Sequence, residues 1–350
     1  IAAVVRDFAA REFITSAHHR RMDALSRMTV AACRMGLDDA RGLGGLDLAR
    51  LGIVVGTALG DVSESAQYLD KVFAKGPAAA SPMLFPNLVL NAPASYAAME
   101  FGSQGVNLTV SQGEISGQAA IALGADQLRA GRADMVLAGG ADELAPILVR
   151  AVRRLRALAG QRGRREWASP YDAARSGVVL GEGAAMLVLE PLERARRRGA
   201  SVYACLDATA SFAVASPPYD WPRAVDAPPP ELAAVCGTGA VQLVCGAANS
   251  SARLDAYELA LVASLDAARG ATLTSIKGAI GEFGAAGALS AAAVCLAVRD
   301  QLAPPLCHLE TPADTTVRLA SRVAKPLAIE RALVCGLARG GSGTALVFSK

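Results

Sequence analysis

Histidine is the scarcest residue type with catalytic chemistry in this chain of 350 residues, which contains only His18, His19 and His308. Any mechanism that needs a pair of catalytic or metal-binding imidazoles must therefore draw on these three. Charged residues are also few, at 19%, and 35 basic against 32 acidic residues leave a net charge of +3. A charge so nearly balanced argues against a nucleic-acid-binding protein and against a polybasic membrane-surface protein.

Aromatic residues make up only 5% of the chain, whereas hydrophobic residues reach 52% and there are 34 glycines. Small apolar side chains suit tightly packed helices and buried strands, and this composition excludes a disordered, coiled-coil or collagen-like chain. No segment reaches the ~20 apolar residues of a membrane span, and the nearest, residues 283–298, predicts a buried helix. The length predicts one large unit or two closely packed ones.

The seven cysteines form no CxxC motif and no paired spacing. Isolated cysteines in apolar sequence are usually small buried hydrophobic residues, so we expect reduced thiols in a cytoplasmic protein. With so few histidines and no cysteine pairs, the sequence predicts neither a metal nor a cofactor. The chain starts at Ile1 without the layout of a signal peptide, and we expect it to begin inside a longer gene product.

Short apolar runs alternate with helical stretches along the chain. The runs predict strands over residues 51–57, 107–111, 133–139, 184–190, 201–208, 241–245, 272–276, 332–337 and 344–348. Helices are predicted over residues 22–40, 116–130, 254–268 and 285–301. This alternation predicts an α/β fold with sheets buried on both faces. Residues 216–230 hold six prolines and predict an irregular crossover.

Glycine-rich blocks follow one another in a fixed order: GVNLTVSQGEISGQAA at 105–120, GRADMVLAGGA at 131–141, SPYD and GVVLGEG within 169–183, SIKGAIGEFGAAGA at 275–288, and LARGGSG at 337–343. In sequence and order they resemble the β-ketoacyl synthases of the thiolase superfamily. The resemblance implies a thiolase-like, five-layer αβαβα fold of two similar halves, residues 1–198 and 199–350, with the family's first strand preceding Ile1. It also implies a dimer formed edge to edge through a strand near the nucleophile.

The resemblance further implies where the family's chemistry would lie. Active members hold the acyl chain on a cysteine at the N-terminus of a buried helix, and Glu114 stands at that position. Ala247 and Glu282 stand where two histidines stabilise the enolate and the oxyanion. Lys277, which supports the second histidine in the family, is retained, and we expect it to pair with Glu114 or Glu282.

Such a chain resembles the chain length factor, the non-condensing half of a type II polyketide synthase ketosynthase heterodimer. Chain length factors typically have Gln where this chain has Glu114. The resemblance implies two partners, an active ketosynthase subunit and an acyl carrier protein, and an acyl tunnel between the subunits. It implies no catalysis by this subunit alone.

Three further sets of residues follow from this resemblance. The bulky candidates for the tunnel floor or the interface are Met83, Phe85, Leu88, Leu90, Tyr96 and Met99. The candidates for a gate in the last loop are Leu337 and Arg339. Acyl carrier proteins are acidic, so docking is expected at one of two basic clusters. The first cluster comprises Arg150, Arg153, Arg154, Arg156, Arg162, Arg164 and Arg165, with Arg153, Arg154 and Arg156 as the docking candidates, and the second comprises Arg194, Arg196, Arg197 and Arg198.

The alternative interpretation is an autonomous enzyme. If the fold brings Glu114 and Glu282 together, they would act as a general acid and base on an acyl thioester, in dehydration, isomerisation or hydrolysis. The loss of every donor around the oxyanion position counts against this interpretation.

Overall fold

The computed structural model describes residues 1–161 and 163–350; Arg162 of the first basic cluster lies outside the described residues. The helices of the chain are α1 (Ala24–Asp39), α2 (Val62–Lys75), α3 (Ala92–Phe101), α4 (Ser116–Arg129), α5 (Pro146–Arg154), α6 (Leu192–Arg197), α7 (Pro230–Cys236), α8 (Ala252–Ser264), α9 (Lys277–Ile280) and α10 (Ala286–Asp300). The strands are β1 (Leu51–Gly56), β2 (Asn107–Val110), β3 (Met135–Asp142), β4 (Gly183–Leu189), β5 (Cys205–Ala213), β6 (Leu243–Cys245), β7 (Thr272–Thr274), β8 (Leu302–Ala303), β9 (Arg318–Leu319), β10 (Lys325–Pro326), β11 (Arg331–Leu337) and β12 (Ser342–Ser349).

The N-terminal sheet has four strands in the order β2-β1-β3-β4. β1 pairs in parallel with both β2 and β3, and β4 runs antiparallel to β3. β1 and β3 are buried along their whole length, as continuous apolar runs in a covered sheet should be. β2 lies at one edge of the sheet and is only partly buried.

The C-terminal sheet has the order β5-β12-β11-β6-β7-β9 and repeats the pattern of the first sheet. β6 runs parallel to β7 and β11, and β12 runs antiparallel to β11, as β4 does to β3. The main difference is β5, which pairs with the outer side of β12. In each sheet, an antiparallel strand therefore pairs with the longest of the parallel strands. This shared arrangement confirms the expected α/β fold of two similar halves.

Helices fill three layers around these sheets. α4 and α10 pack against each other between the sheets, α1 and α3 cover the outer face of the N-terminal sheet, and α7 and α8 cover that of the C-terminal sheet. The central helices approach so closely that a Cβ on Gly117 would lie 2.7 Å from the carbonyl oxygen of Ala285. This crowding explains the Ala and Gly content, because only small side chains fit between the sheets. The layers complete the predicted five-layer αβαβα arrangement.

The nine predicted strands are all present, with boundaries shifted by a few residues. The largest shift is in β5, which begins at Cys205 and continues to Ala213, beyond the predicted end at residue 208. The two-residue strands β8, β9 and β10 were not predicted, since so short a pairing leaves no sequence period. The proline-rich segment is irregular up to residue 229, and α7 begins at Pro230.

No helix among the described residues is long and apolar enough to cross a membrane. The apolar stretch at 283–298 instead contributes most of α10, which lies buried between the sheets. The division of the chain between residues 198 and 199 stays a prediction.

Candidate functional site

A buried ion pair joins Lys277 and Glu282. The Lys277 ammonium lies 2.8 and 3.0 Å from the two carboxylate oxygens, and the side chains are 3% and 8% exposed. α9 brings the two residues face to face, and the chain turns at Gly281, whose φ of +74° favours glycine. The Asn249 amide donates a third hydrogen bond to Glu282, at 2.6 Å. The expectation that Lys277 forms an ion pair is confirmed, with Glu282 as its partner.

Glu114 has a different cationic partner. It lies in the single 3₁₀ turn Gly113–Ile115, immediately before the first residue of α4. The Arg339 guanidinium forms an ion pair with its carboxylate and also lies over the Trp221 ring, 4.7 Å from the ring centroid. Glu114 therefore stands at the N-terminus of a buried helix, as expected, with its charge matched by a residue of the last loop.

Ala247 lies in the loop that follows β6, and a buried carboxylate fixes this loop. The backbone N–H groups of Ala247 and Ala248 donate to Glu258 at 2.6 and 2.8 Å, and the Tyr171 hydroxyl donates to it at 2.6 Å. Burial raises the pKa of Glu258. The loop is thus rigidly held, while the Ala247 methyl group contributes no hydrogen-bond donor.

A second buried carboxylate, Asp255, holds the same loop from the other side. It accepts hydrogen bonds from the backbone N–H of Tyr171 at 2.9 Å and of Asn249 at 3.1 Å. Burial raises the pKa of Asp255 to about 7. Since Asn249 also binds Glu282, the loop and the ion pair form one connected polar network.

Glu114 and Glu282 each have their own side-chain partners. Among the described residues they have no hydrogen-bonding partner in common: Glu114 binds Arg339, and Glu282 binds Lys277 and Asn249. A general acid and base must both reach one substrate, but each carboxylate is already engaged by its own cation.

The last loop is tied to the proline-rich segment. Leu337, at the end of β11, is buried in the core of the C-terminal sheet, whereas Arg339 is exposed and reaches Glu114. The Gly340 N–H donates to the carbonyl of Asp220 at 2.9 Å, beside the buried Trp221. The two gate candidates therefore differ, because Leu337 packs inward and Arg339 forms an ion pair with Glu114. Their roles as a gate stay predictions.

The tunnel candidates are divided between core and surface. Tyr96 is buried, and its hydroxyl donates a hydrogen bond to the side-chain oxygen of Asn87 at 2.9 Å. Leu88 is half-buried. The other four are exposed: Met83, Phe85, Leu90 and Met99. Met99 lies on α3, which packs against β1 and the edge strand β2. These four apolar side chains are largely or partly open to solvent in this subunit.

The first basic cluster is open to solvent. Arg153 and Arg154 end α5, Arg156 follows, and all three are exposed. Together with Arg150 and Gln161 they line a depression of about 420 Å³. The second cluster is different, because Arg194 and Arg198 both pair with Glu190. These two arginines also donate to the carbonyls of Leu43 and Ala40, so they fasten α6 to the loop after α1. Arg196 and Arg197 of the second cluster are exposed, so docking at this cluster stays a prediction.

The cysteines and histidines add no nucleophile or base to this site. Five cysteines are buried, and Cys205 and Cys307 are half-buried. Burial raises the pKa of Cys245 to about 11, which disfavours the thiolate at neutral pH. His18 and His19 lie in the turn before α1. The His308 ring packs in a tilted arrangement against Trp167, with 5.9 Å between the ring centroids.

Sequence reasoning missed two polar contacts of this site, the Arg339–Glu114 ion pair and the hydrogen bond from Asn249 to Glu282. The pairing of Arg339 with Glu114 joins residues 225 positions apart, and no local pattern predicts it. One indication that Asn249 belongs to the site was visible in the sequence, because this residue stands two positions after Ala247 in the same glycine-containing loop.

Two family models match the chain. Residues 2–195 match the model described as "Beta-ketoacyl synthase, N-terminal domain", and residues 233–310 match "Beta-ketoacyl synthase, C-terminal domain". The chain belongs to the β-ketoacyl synthase family. Among its relatives, 3-oxoacyl-[acyl-carrier-protein] synthase 2 of Vibrio harveyi is 28% identical, covering 100% of this chain and 87% of the relative. The Streptomyces halstedii protein named "Putative polyketide beta-ketoacyl synthase 1" is 32% identical, covering 94% of this chain and 82% of the relative.

Solved structures share the fold of this β-ketoacyl synthase family member. The ishigamide ketosynthase/chain length factor superposes with a TM-score of 0.88 at 24% identity, covering 100% of this chain and 87% of that one. AntDE:AntF, a type II PKS acyl-carrier protein in complex with its ketosynthase, gives a TM-score of 0.85 at 24% identity, covering 93% of this chain and 84% of that one. These likenesses confirm the thiolase-like fold.

Proposed function

We propose that this protein is a chain length factor: a non-condensing subunit that pairs with an active β-ketoacyl-ACP synthase and shapes the tunnel for the growing polyketide or polyene chain. The observation that carries the proposal is the buried Lys277–Glu282 ion pair. It stands where the resemblance implies the second catalytic histidine.

The chemistry of the site supports a non-condensing role. A condensing enzyme needs a nucleophile for the acyl chain and donors for the enolate and oxyanion. Glu114 is a poor acyl acceptor, because the mixed anhydride that it would form lies uphill of a thioester. Ala247 offers no side-chain donor, and the negative charge of Glu282 would repel a developing enolate.

The surface supports a protein partner. Large apolar side chains at positions 83, 85, 90 and 99 are exposed, and exposed apolar patches mark interaction sites in soluble proteins. The edge strand β2 ends shortly before Glu114 and has one side of its backbone unpaired in this chain. An active ketosynthase subunit is the partner that the resemblance implies for this face.

An acyl carrier protein is the second proposed partner. Arg153, Arg154 and Arg156 present positive charge to solvent around one depression, and a complementary acidic surface would bind there. Because exposed charges are screened by salt, the association should weaken as ionic strength rises.

Reconstitution tests the proposed function. The chain is co-expressed with a ketosynthase that carries its own cysteine and histidines, and the purified complex is supplied with malonyl carrier protein. We expect product only from the complex, and we expect Glu114→Gln to leave its rate unchanged. Turnover by the isolated chain that Glu114→Gln abolishes would overturn the proposal and favour the acid–base enzyme.

Product length tests the tunnel residues. We expect Phe85→Ala and Met99→Ala complexes to make longer chains by at least one two-carbon unit, because each truncation enlarges the space available to the growing chain. Mass spectrometry of the released product measures this length. The control is Val323→Ala, which truncates an exposed apolar side chain far along the sequence. An unchanged product length in both tunnel variants would contradict the assignment of these positions.

A further inference from the structure

The last loop presents an arginine whose position is restrained by an aromatic ring. The Arg339 guanidinium lies over the Trp221 ring, 4.7 Å from the ring centroid. Trp221 is only 4% exposed and belongs to the core of the C-terminal sheet. A cation over the face of an indole is attracted by the ring quadrupole. The ring therefore restrains the guanidinium by a contact that does not involve Glu114.

The backbone around Arg339 is fixed as well. The Gly340 N–H donates to the carbonyl of Asp220, and the Val214 N–H donates to the carbonyl of Gly341, each at 2.9 Å. Both hydrogen bonds join the last loop to residues 214–220. Neither of them involves Glu114, so the loop has anchors of its own.

The segment that carries Trp221 is held by its own polar contacts. The Trp221 N–H donates to the Asp220 carboxylate at 2.9 Å, and the Arg253 guanidinium forms an ion pair with the same carboxylate. The Ser216 hydroxyl donates to the Asp220 carbonyl at 2.9 Å. These contacts fix the ring that lies under the guanidinium. We therefore expect Arg339 to keep its position when Glu114 is changed.

Arg339 offers two kinds of donor to one carboxylate. Its backbone N–H donates to Oε2 of Glu114 at 3.3 Å, and its guanidinium forms an ion pair with Oε1. A planar guanidinium matches the geometry of a carboxylate, and a hydrogen bond between charged groups is stronger than a neutral one. The Arg339 side chain is 38% exposed, so a dissolved anion can reach it.

Glu114 reaches these donors as part of the same molecule. A ligand that is tethered to its binding site has a high effective concentration there. A carboxylate from outside must therefore displace Glu114 before it can bind to Arg339. The Glu114 side chain is only 16% exposed, which shows how closely the surrounding groups enclose it.

We propose that Arg339, positioned by Trp221, is a carboxylate-binding site and that Glu114 occupies it as a built-in ligand. The chemical class that the site takes is a small carboxylate. In the unmodified chain the tethered Glu114 excludes such groups and keeps the site closed to them. The inference goes beyond the proposed function, because it concerns the isolated chain and needs no partner.

Acetate tests the site, because Glu114→Ala removes a methylene-carboxylate unit that acetate matches in size and charge. Urea unfolding is followed by circular dichroism while acetate replaces chloride at constant ionic strength. We expect a saturable rise in the unfolding midpoint of Glu114→Ala, since a ligand that binds only the folded state stabilises it. In the unmodified chain, half-saturation should need at least about tenfold more acetate. Equal responses of the two chains would overturn the proposal.

Two further variants identify the arginine. Glu114→Ala combined with Arg339→Met should lose the response to acetate, because the double variant has no guanidinium at this position. The matched control is Glu310→Ala, which removes the partner of Arg165 from an ion pair whose arginine is 34% exposed. An exposed arginine without a fixed position binds a carboxylate weakly, so no saturable response is expected there. A response in either variant as large as that of Glu114→Ala would show that acetate acts elsewhere and that the proposal is wrong.

Fluorescence tests whether the site is preformed. The chain contains two tryptophans, so Trp167→Phe leaves Trp221 as the only one. In this background we expect Arg339→Met to change the emission of Trp221, because it removes the cation from the ring. Glu114→Ala should leave the emission unchanged. If Glu114→Ala changed the emission as much as Arg339→Met, Glu114 would be the group that positions the guanidinium, and Arg339 would not be a preformed site.

The outcomes for this site and for the proposed function are independent. All of these measurements use the isolated chain without a ketosynthase. A saturable response that depends on Arg339, together with a failed reconstitution, would leave the site standing and count against the chain length factor. The absence of any response of Glu114→Ala to acetate would remove the site and leave the proposed function untouched.

Discussion

Replacement of Lys277 by Met is expected to lower the free energy of unfolding by about 3–5 kcal/mol. The substitution keeps the length of the side chain and removes the cation from a pair that is almost completely buried. Glu282 is then left with only the Asn249 amide as a partner, in a place where water cannot replace the ammonium group. An uncompensated buried charge is among the most destabilising defects in a protein. Urea unfolding followed by circular dichroism measures the loss.

A double variant serves as the control. Glu282→Gln removes the negative charge and keeps an oxygen that accepts from Asn249. If the loss in Lys277→Met comes from the unpaired carboxylate, adding Glu282→Gln should recover more than half of it. A loss below about 1 kcal/mol in Lys277→Met would contradict the description of this pair as buried and mutually dependent.

Much of the fold could be predicted from the sequence, because its strands are continuous apolar runs. A run such as residues 51–57 lies in the centre of a covered sheet, where every residue is buried and no polar alternation obscures it. β5 shows the limit of this signal. It lies at a sheet edge and alternates polar with apolar residues, so its true end at Ala213 was not visible. The pairing of the short β8 and β10 depends entirely on tertiary contacts.

The candidate site could be predicted only where its partners are close in the sequence. Lys277 and Glu282 are five residues apart, and their pairing was one of two expected outcomes. Glu114 and Arg339 were each singled out, but the fold alone brings them together. Whether a basic residue is free or paired also depends on the fold. Arg194 and Arg198 look like free basic residues in the sequence, yet the fold places both beside Glu190.

The contacts of Asn87 are the clearest case of a feature without a sequence signal. Its side-chain nitrogen donates to Glu64 and to the backbone carbonyl of Arg21, and its side-chain oxygen accepts from the Tyr96 hydroxyl. Arg21 and Glu64 lie 66 and 23 residues away in the sequence, so only the fold brings these groups together.

Replacement of Met83 by Asp is expected to weaken association with the ketosynthase subunit by roughly thirtyfold or more, which corresponds to about 2 kcal/mol. Met83 lies in residues 81–91, the segment before α3, here called the apolar arm. Its surface is 67% exposed, so a charge there costs the isolated chain almost nothing. In the complex, the same charge would have to be buried against an apolar partner surface without a counterion. Analytical ultracentrifugation or surface plasmon resonance with the purified ketosynthase measures the affinity.

The matched control is Val323→Asp, which places the same charge on a side chain of nearly equal exposure, 64%, near the short strand β10. Both variants should unfold at the same urea concentration as the unmodified chain, because neither position is buried. Only Met83→Asp should lose the partner. If both variants bound equally well, the apolar arm would lie outside the interface. Its exposed side chains would then have to contact a different partner. If both lost the partner, the charge itself would be responsible and the position of Met83 would carry no information. The comparison therefore tests the arm as a contact surface independently of the length of the product.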